Sequence, residues 1–134
     1  MITIKSDREI TLMKEAGRIV ALAHQEVEKH VKAGVTTLEL DQIVEKVIRD
    51  NDATPSFKGY GGFPGSACTS VNDQVVHGIP SNKVTLKDGD IIVIETKAGV
   101  TENGIVKTME AQSPKVIGIA GQGGLWADGR PIAK

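Results

Sequence analysis

His77 is the residue best suited to direct chemistry in this chain. It stands in Val75-Val76-His77-Gly78-Ile79-Pro80, where glycine and proline force the backbone to turn. An imidazole at such a corner can donate to a substrate or stabilise a developing oxyanion. The competing account is a half-buried histidine at a strand end, satisfied by a backbone partner. His24 and His30 fall in an early helical stretch instead. His24 lies on its apolar stripe, where a satisfied core or boundary histidine is expected. Cys68 is the single cysteine, so no internal disulfide can form, which fits a reducing compartment.

These residues need elements to hold them. Before Asp50 the pattern is helical. Ser6-Asp7-Arg8-Glu9 has the form of a capping box, in which serine accepts from the N3 amide while glutamate reaches back. Ile10, Met13, Gly17, Val20, His24, Val27 and Val31 then recur every three or four residues, predicting one helix that ends at Ala33-Gly34. Thr36-Thr37-Leu38-Glu39 is a second capping box. Leu40, Ile43, Val44, Val47 and Ile48 form the apolar face of a second helix, which stops at Asn51-Asp52.

After Asp50 the pattern turns to β. Residues 53–66 carry Pro55, Pro64 and glycines at 59, 61, 62 and 65, yet hold Phe57, Tyr60 and Phe63. This is expected to be an ordered loop. Strands are predicted over 67–71, 74–77 and 90–96, the last a nearly continuous Ile/Val run. Asn103-Gly104 signals a hairpin turn into 105–109, and 115–120 reads as another short strand. Two helices followed by antiparallel strands make a single α+β domain over 1–134, with the helices on one face of the sheet.

Composition excludes several roles. The formal net charge is −1 with acids and bases interleaved, so no basic stripe awaits nucleic acid. Aromatics are 3% of the chain, leaving few platforms for bases to stack on. No apolar run approaches the roughly 20 residues that span a bilayer. No signal peptide is visible after Met1, and a cytoplasmic location is the expectation.

Seven segments carry a resemblance. Met13-Lys14-Glu15-Ala16-Gly17-Arg18-Ile19-Val20 and Glu39-Leu40-Asp41 are the helical parts. The runs Pro55-Ser56-Phe57-Lys58-Gly59-Tyr60, Phe63-Pro64-Gly65-Ser66-Ala67-Cys68, Ser70-Val71-Asn72 and His77-Gly78-Ile79-Pro80 follow in order and spacing. With Asp88 to Glu95 they resemble the N-terminal half of type I methionine aminopeptidases, over about residues 1–95. The resemblance implies half of a pita-bread fold: two helices packed on a curved antiparallel sheet, followed here by short β-hairpins. It implies removal of N-terminal methionine with two divalent metals (Co, Mn, Fe or Zn) and a bridging water. Tyr60, Phe63 and Cys68 would line the methionine pocket with Phe57 nearby. His77 would contact the substrate, and Glu95 would stand at the first metal-ligand position. Core filling alone also accounts for the aromatics.

The chain departs from that pattern at the metal. The family has aspartate where Glu95 stands, and a second aspartate about eleven residues on. Here that position is Val106, or Thr108 with two inserted residues; the nearest acids are Glu102 and Glu110. No histidine follows residue 95. The added methylene at Glu95 shifts its oxygens by over ~1 Å, against a tolerance of about 0.5 Å in a working site.

Residues 96–134 resemble β-rich modules of phage structural proteins, so that a junction of two pieces near Asp90–Glu95, a chimera, is one expectation and a truncated paralogue another. Three functions remain open. They are an inactive folded scaffold, a metal-dependent aminopeptidase completed by a homodimer that mimics the parent's pseudo-twofold or by a partner chain, and a module that binds a peptide N-terminus without turnover.

Overall fold

The computed structural model describes residues 2–101 and 108–118, the latter segment through its backbone. Helix α1 spans Asp7–Glu28 and α2 spans Thr37–Asp50. Both capping boxes form. Ser6 Oγ accepts the Glu9 amide at 3.3 Å, and the Ser6 amide donates to Glu9 Oε2 at 2.9 Å. At α2 the equivalent bonds link Thr36 and Glu39 at 3.2 and 2.8 Å. Each box satisfies two amides that a helix start otherwise leaves without partners.

The strands are β1 (Thr54–Pro55), β2 (Ala67–Val71), β3 (Ile91–Thr101) and β4 (Thr108–Gly118). They form one antiparallel sheet centred on β3. Along one edge β4 pairs with the whole of β3, from Ile91↔Gly118 to Thr101↔Thr108. Along the other edge β2 pairs with Ile92–Thr96 and β1 with Ala98–Gly99. Both helices lie on one face. Ile92, Ile94, Thr96, Ala98 and Val100 point into that core and are buried. Ile19, Val20, Val27, Leu40, Val44 and Ile48 meet them from the helices. Period 2 on the strand and period 3.6 on the helices thus converge on one layer.

Four expectations need correction. First, α1 ends at Glu28 rather than at Ala33-Gly34. Residues 29–36 form turns, and the Gly34 amide donates to the Leu86 carbonyl at 2.8 Å, a tertiary bond that replaces the helical one. Second, the α1 stripe is rotated. Ala16, Ile19 and Ala23 are fully buried while Ile10 is 40% exposed, because small alanines let the helix sit close to the sheet. Third, residues 74–77 form no strand. Gly78 instead takes the edge of β2, accepting from the Thr69 amide at 2.8 Å, and His77 adopts φ +60°. Fourth, the separate strands expected at 105–109 and 115–120 give way to one strand over 108–118. The Asn103-Gly104 turn lies outside the described residues, as do Val106 and Glu102.

Candidate functional site

The odd-numbered positions of β3 face away from the helices. Val93, Glu95 and Lys97 are half-buried there, and Ile91 is exposed. Cys68 pairs directly with Glu95 and Ser70 with Val93. Residues opposite each other in an antiparallel pair share a face, about 4.5–5.5 Å apart at Cβ. The Cys68 thiol is buried, and burial first, then the Glu95 and Asp41 charges, push its pKa up to about 11. It is therefore a neutral, weakly nucleophilic thiol near pH 7.

The loop before β2 is ordered. Phe57 and Phe63 meet edge-to-face, with ring centroids 6.4 Å apart and planes at 83°. Phe63 O accepts the Gly59 amide at 2.8 Å, and Tyr60–Gly62 form a single 3-10 turn between the rings. Tyr60 stands outside this pair, 82% exposed. Lys58 reaches back to Glu45 of α2 at 2.9 Å, tying the loop to the helix.

His77 is exposed. Its place is set by the next residue. A Cβ on Gly78 would fall 2.1 Å from the Thr69 carbonyl oxygen, so only glycine permits this approach to β2. The Gly78 amide donates to Ser70 Oγ at 3.0 Å. Beyond it, Ser81 and the Thr37 hydroxyl exchange two bonds, at 2.9 and 3.1 Å.

Asp41 belongs to the site although no motif in the sequence gives it a chemical role. It is buried on α2, and one oxygen accepts both the Ser66 and Ala67 amides, at 2.7 and 2.8 Å. Burial raises its pKa, opposed by those two amides. The available signal was its helical phase: Asp41 lies four residues after Thr37 and three before Val44, on the buried stripe of α2.

Of the expected site residues, Glu95 and Cys68 are brought side by side, and Phe57 and Phe63 form one pair. The position facing Glu95 on its other edge is Pro114. Glu110 pairs with Gly99, four residues along β3 and so about 13 Å from Glu95. Thr108 pairs with Thr101, farther still. Among the described residues no group of three or more His, Cys, Asp or Glu side chains could hold a metal ion. A two-metal centre needs several carboxylate or imidazole ligands gathered at one point, and Glu95 alone does not supply them. The described residues therefore do not fit such a centre. No helix among them is long and apolar enough to cross a membrane.

Known proteins share this architecture. Residues 11–109 match the model of metallopeptidase family M24, continuing past the residue-95 boundary read from the sequence. The chain is 59% identical over 98 residues to methionine aminopeptidase 1 of Bacillus subtilis and 52% identical over 98 residues to a methionine aminopeptidase of Clostridium acetobutylicum. Each alignment covers 73% of this chain and 39% of the relative, so the chain spans about two fifths of their length. The crystal structure of a methionine aminopeptidase from Thermotoga maritima superposes with a TM-score of 0.81 at 34% identity, covering 90% of this chain and 46% of that one. The two helices and antiparallel sheet are those of the methionine aminopeptidase pita-bread fold, and the chain belongs to metallopeptidase family M24.

Proposed function

We propose that this chain is the pocket-bearing part of a methionine aminopeptidase fold and does not hydrolyse peptides by itself. The observation that carries this is that, among the described residues, no group of three or more His, Cys, Asp or Glu side chains gathers at Glu95 to hold a metal ion. One carboxylate cannot hold two divalent ions, and without them no water is activated at neutral pH. The Phe57–Phe63 pair and the neutral Cys68 thiol offer the soft apolar wall that suits a methionine side chain, with His77 as the substrate contact. A cytoplasmic setting, where new N-termini emerge, fits this reading.

The test is hydrolysis of a Met-Ala-Ser peptide by micromolar protein with Co²⁺ or Mn²⁺, against a chelator control. The expected result is no turnover above buffer. Chelator-sensitive turnover would overturn the proposal.

A second reading is an aminopeptidase completed by a second copy or another chain that supplies the missing ligands. It is favoured by apolar residues left on the surface: Val75 is 83% exposed, Val76 60% and Ile79 57%. Such a cluster is costly in a monomer. Sedimentation at the assay concentration separates the two, because this reading requires that any activity track the assembled species.

A further inference from the structure

We propose that Asp41 is a positioning residue for the candidate pocket, locking the start of β2, and with it Cys68, to helix α2. The proposal rests on the reading of Cys68 as a pocket wall.

The geometry is specific. A single carboxylate oxygen receives two consecutive amides, Ser66 and Ala67, across 25 and 26 residues of chain. Both amides are buried, and buried donors left without partners cost roughly 1–3 kcal/mol each. Strand β2 is only five residues long. Beyond β3 its hydrogen bonds are few, the Thr69–Gly78 bond among them. Its first residue is held from two sides, by Thr96 of β3, whose hydroxyl donates to the Ser66 carbonyl at 2.8 Å, and by Asp41 of α2. The space around the oxygen is already full: a Cβ on Gly65 would lie 3.0 Å from Asp41 Oδ1 and 3.0 Å from Pro80 Cγ. One turn earlier on the same helix, Thr37 holds Ser81. Thus the first two turns of α2 pin Ser66, Ala67 and Ser81, on either side of the His77 corner.

What the site uses at Asp41 is an acceptor at a fixed point rather than a charge. Glu45 on the same helix opposes ionisation while Lys58 from the loop favours it, and burial outweighs both. Cys68 on β2 feels the Asp41 charge as well. An asparagine oxygen has two lone pairs at the same reach and can receive both amides.

Cys68 is the sole thiol, so its alkylation by iodoacetamide reports opening at this point. Labelling rates are to be compared for the wild type, Asp41→Ala, Asp41→Asn and Gly65→Ala, each beside its urea-unfolding stability. The expected result is that Asp41→Ala labels at least about tenfold faster than its global stability accounts for, while Asp41→Asn stays within about threefold of wild type. Gly65→Ala, which wedges against the same oxygen, should also label faster, and it serves if Asp41→Ala fails to fold. Labelling of Asp41→Ala or Gly65→Ala at the rate set by global unfolding alone would overturn the proposal. So would Asp41→Asn labelling as fast as Asp41→Ala. A second arm adds L-methioninamide as a protecting ligand. Protection of Cys68 in wild type and its loss in Asp41→Ala ties the lock to the pocket. If wild type is not protected, the pocket reading falls while the alkylation rates still decide whether Asp41 holds β2.

Discussion

The two faces of β3 differ in kind although they alternate along one strand. The even-numbered face is buried against α1 and α2 and supplies most of the sheet's share of the core. The odd-numbered face carries Glu95 beside Cys68 and is only partly covered. The first is satisfied by apolar side chains of about the right size, which many sequences can provide. A catalytic site on the second would need specific donors held to a tolerance near 0.5 Å. The fold on one face is therefore insensitive to changes that a metal centre on the other would not tolerate.

The sharpest way to break this contrast is to cut into each face in turn. Ile94→Ala, on the fully buried face, should cost about 2–5 kcal/mol, read as a fall in the urea midpoint. Glu95→Ala, one residue on but facing the other way, should cost about 1 kcal/mol or less. A loss as large as that of Ile94→Ala would mean that Glu95 supports the fold and that the two faces are not separable.

The thiol gives a subtler measure. Folding raises the Cys68 pKa to about 11, so the native state keeps its proton where the unfolded chain loses it. Stability from this group is complete below the ordinary thiol pKa near 8.5 and is lost as pH rises from there through about 11. Cys68→Ala should flatten that alkaline decline in a series of urea titrations. Glu95→Ala should lower the Cys68 pKa, since the Glu95 charge is one of the causes of its rise; an unchanged value would show burial acting alone. Smallest of all is the expected response to metal. Millimolar Mn²⁺ or Co²⁺ should move Tm by less than about 1 °C, because an ion without a set of ligands adds little binding energy to the native state. A rise of several degrees, reversed by chelator, would show a site that the odd face of β3 does not reveal.

Much of the helical half was legible in the sequence. Ser6–Glu9 and Thr36–Glu39 are local signals, read within four residues, and both boxes form as expected. Leu40, Val44 and Ile48 were read as buried and are. The core of β3 was likewise visible as a β-branched run, and the strand at 67–71 forms where the sequence predicts it. The end of α1 was not, because the turn at residues 29–36 is held by Leu86, far along the chain. Residues 74–77 look like a strand by composition, but Gly78 occupies the edge of β2 they would need. In the candidate site, Glu95 and Cys68 could be named from their motifs. Their adjacency could not, because it depends on the β2–β3 register. Asp41 went unread because a lone carboxylate on a helix stripe declares no partner until the chain brings Ser66 and Ala67 to it.

The sequence by itself determined the helix starts, the apolar phase of α2, the Ile/Val strand and the kinship with family M24. These are set by neighbours a few residues apart or by spaced identities. The tertiary structure alone decided that Pro114 faces Glu95, that His77 sits at a positive φ beside a glycine pressed on Thr69, and that Asp41 holds the start of β2. Each of these depends on a contact between residues distant in the chain. Such contacts follow from strand register and close packing, where a shift of one residue turns every side chain to the opposite face.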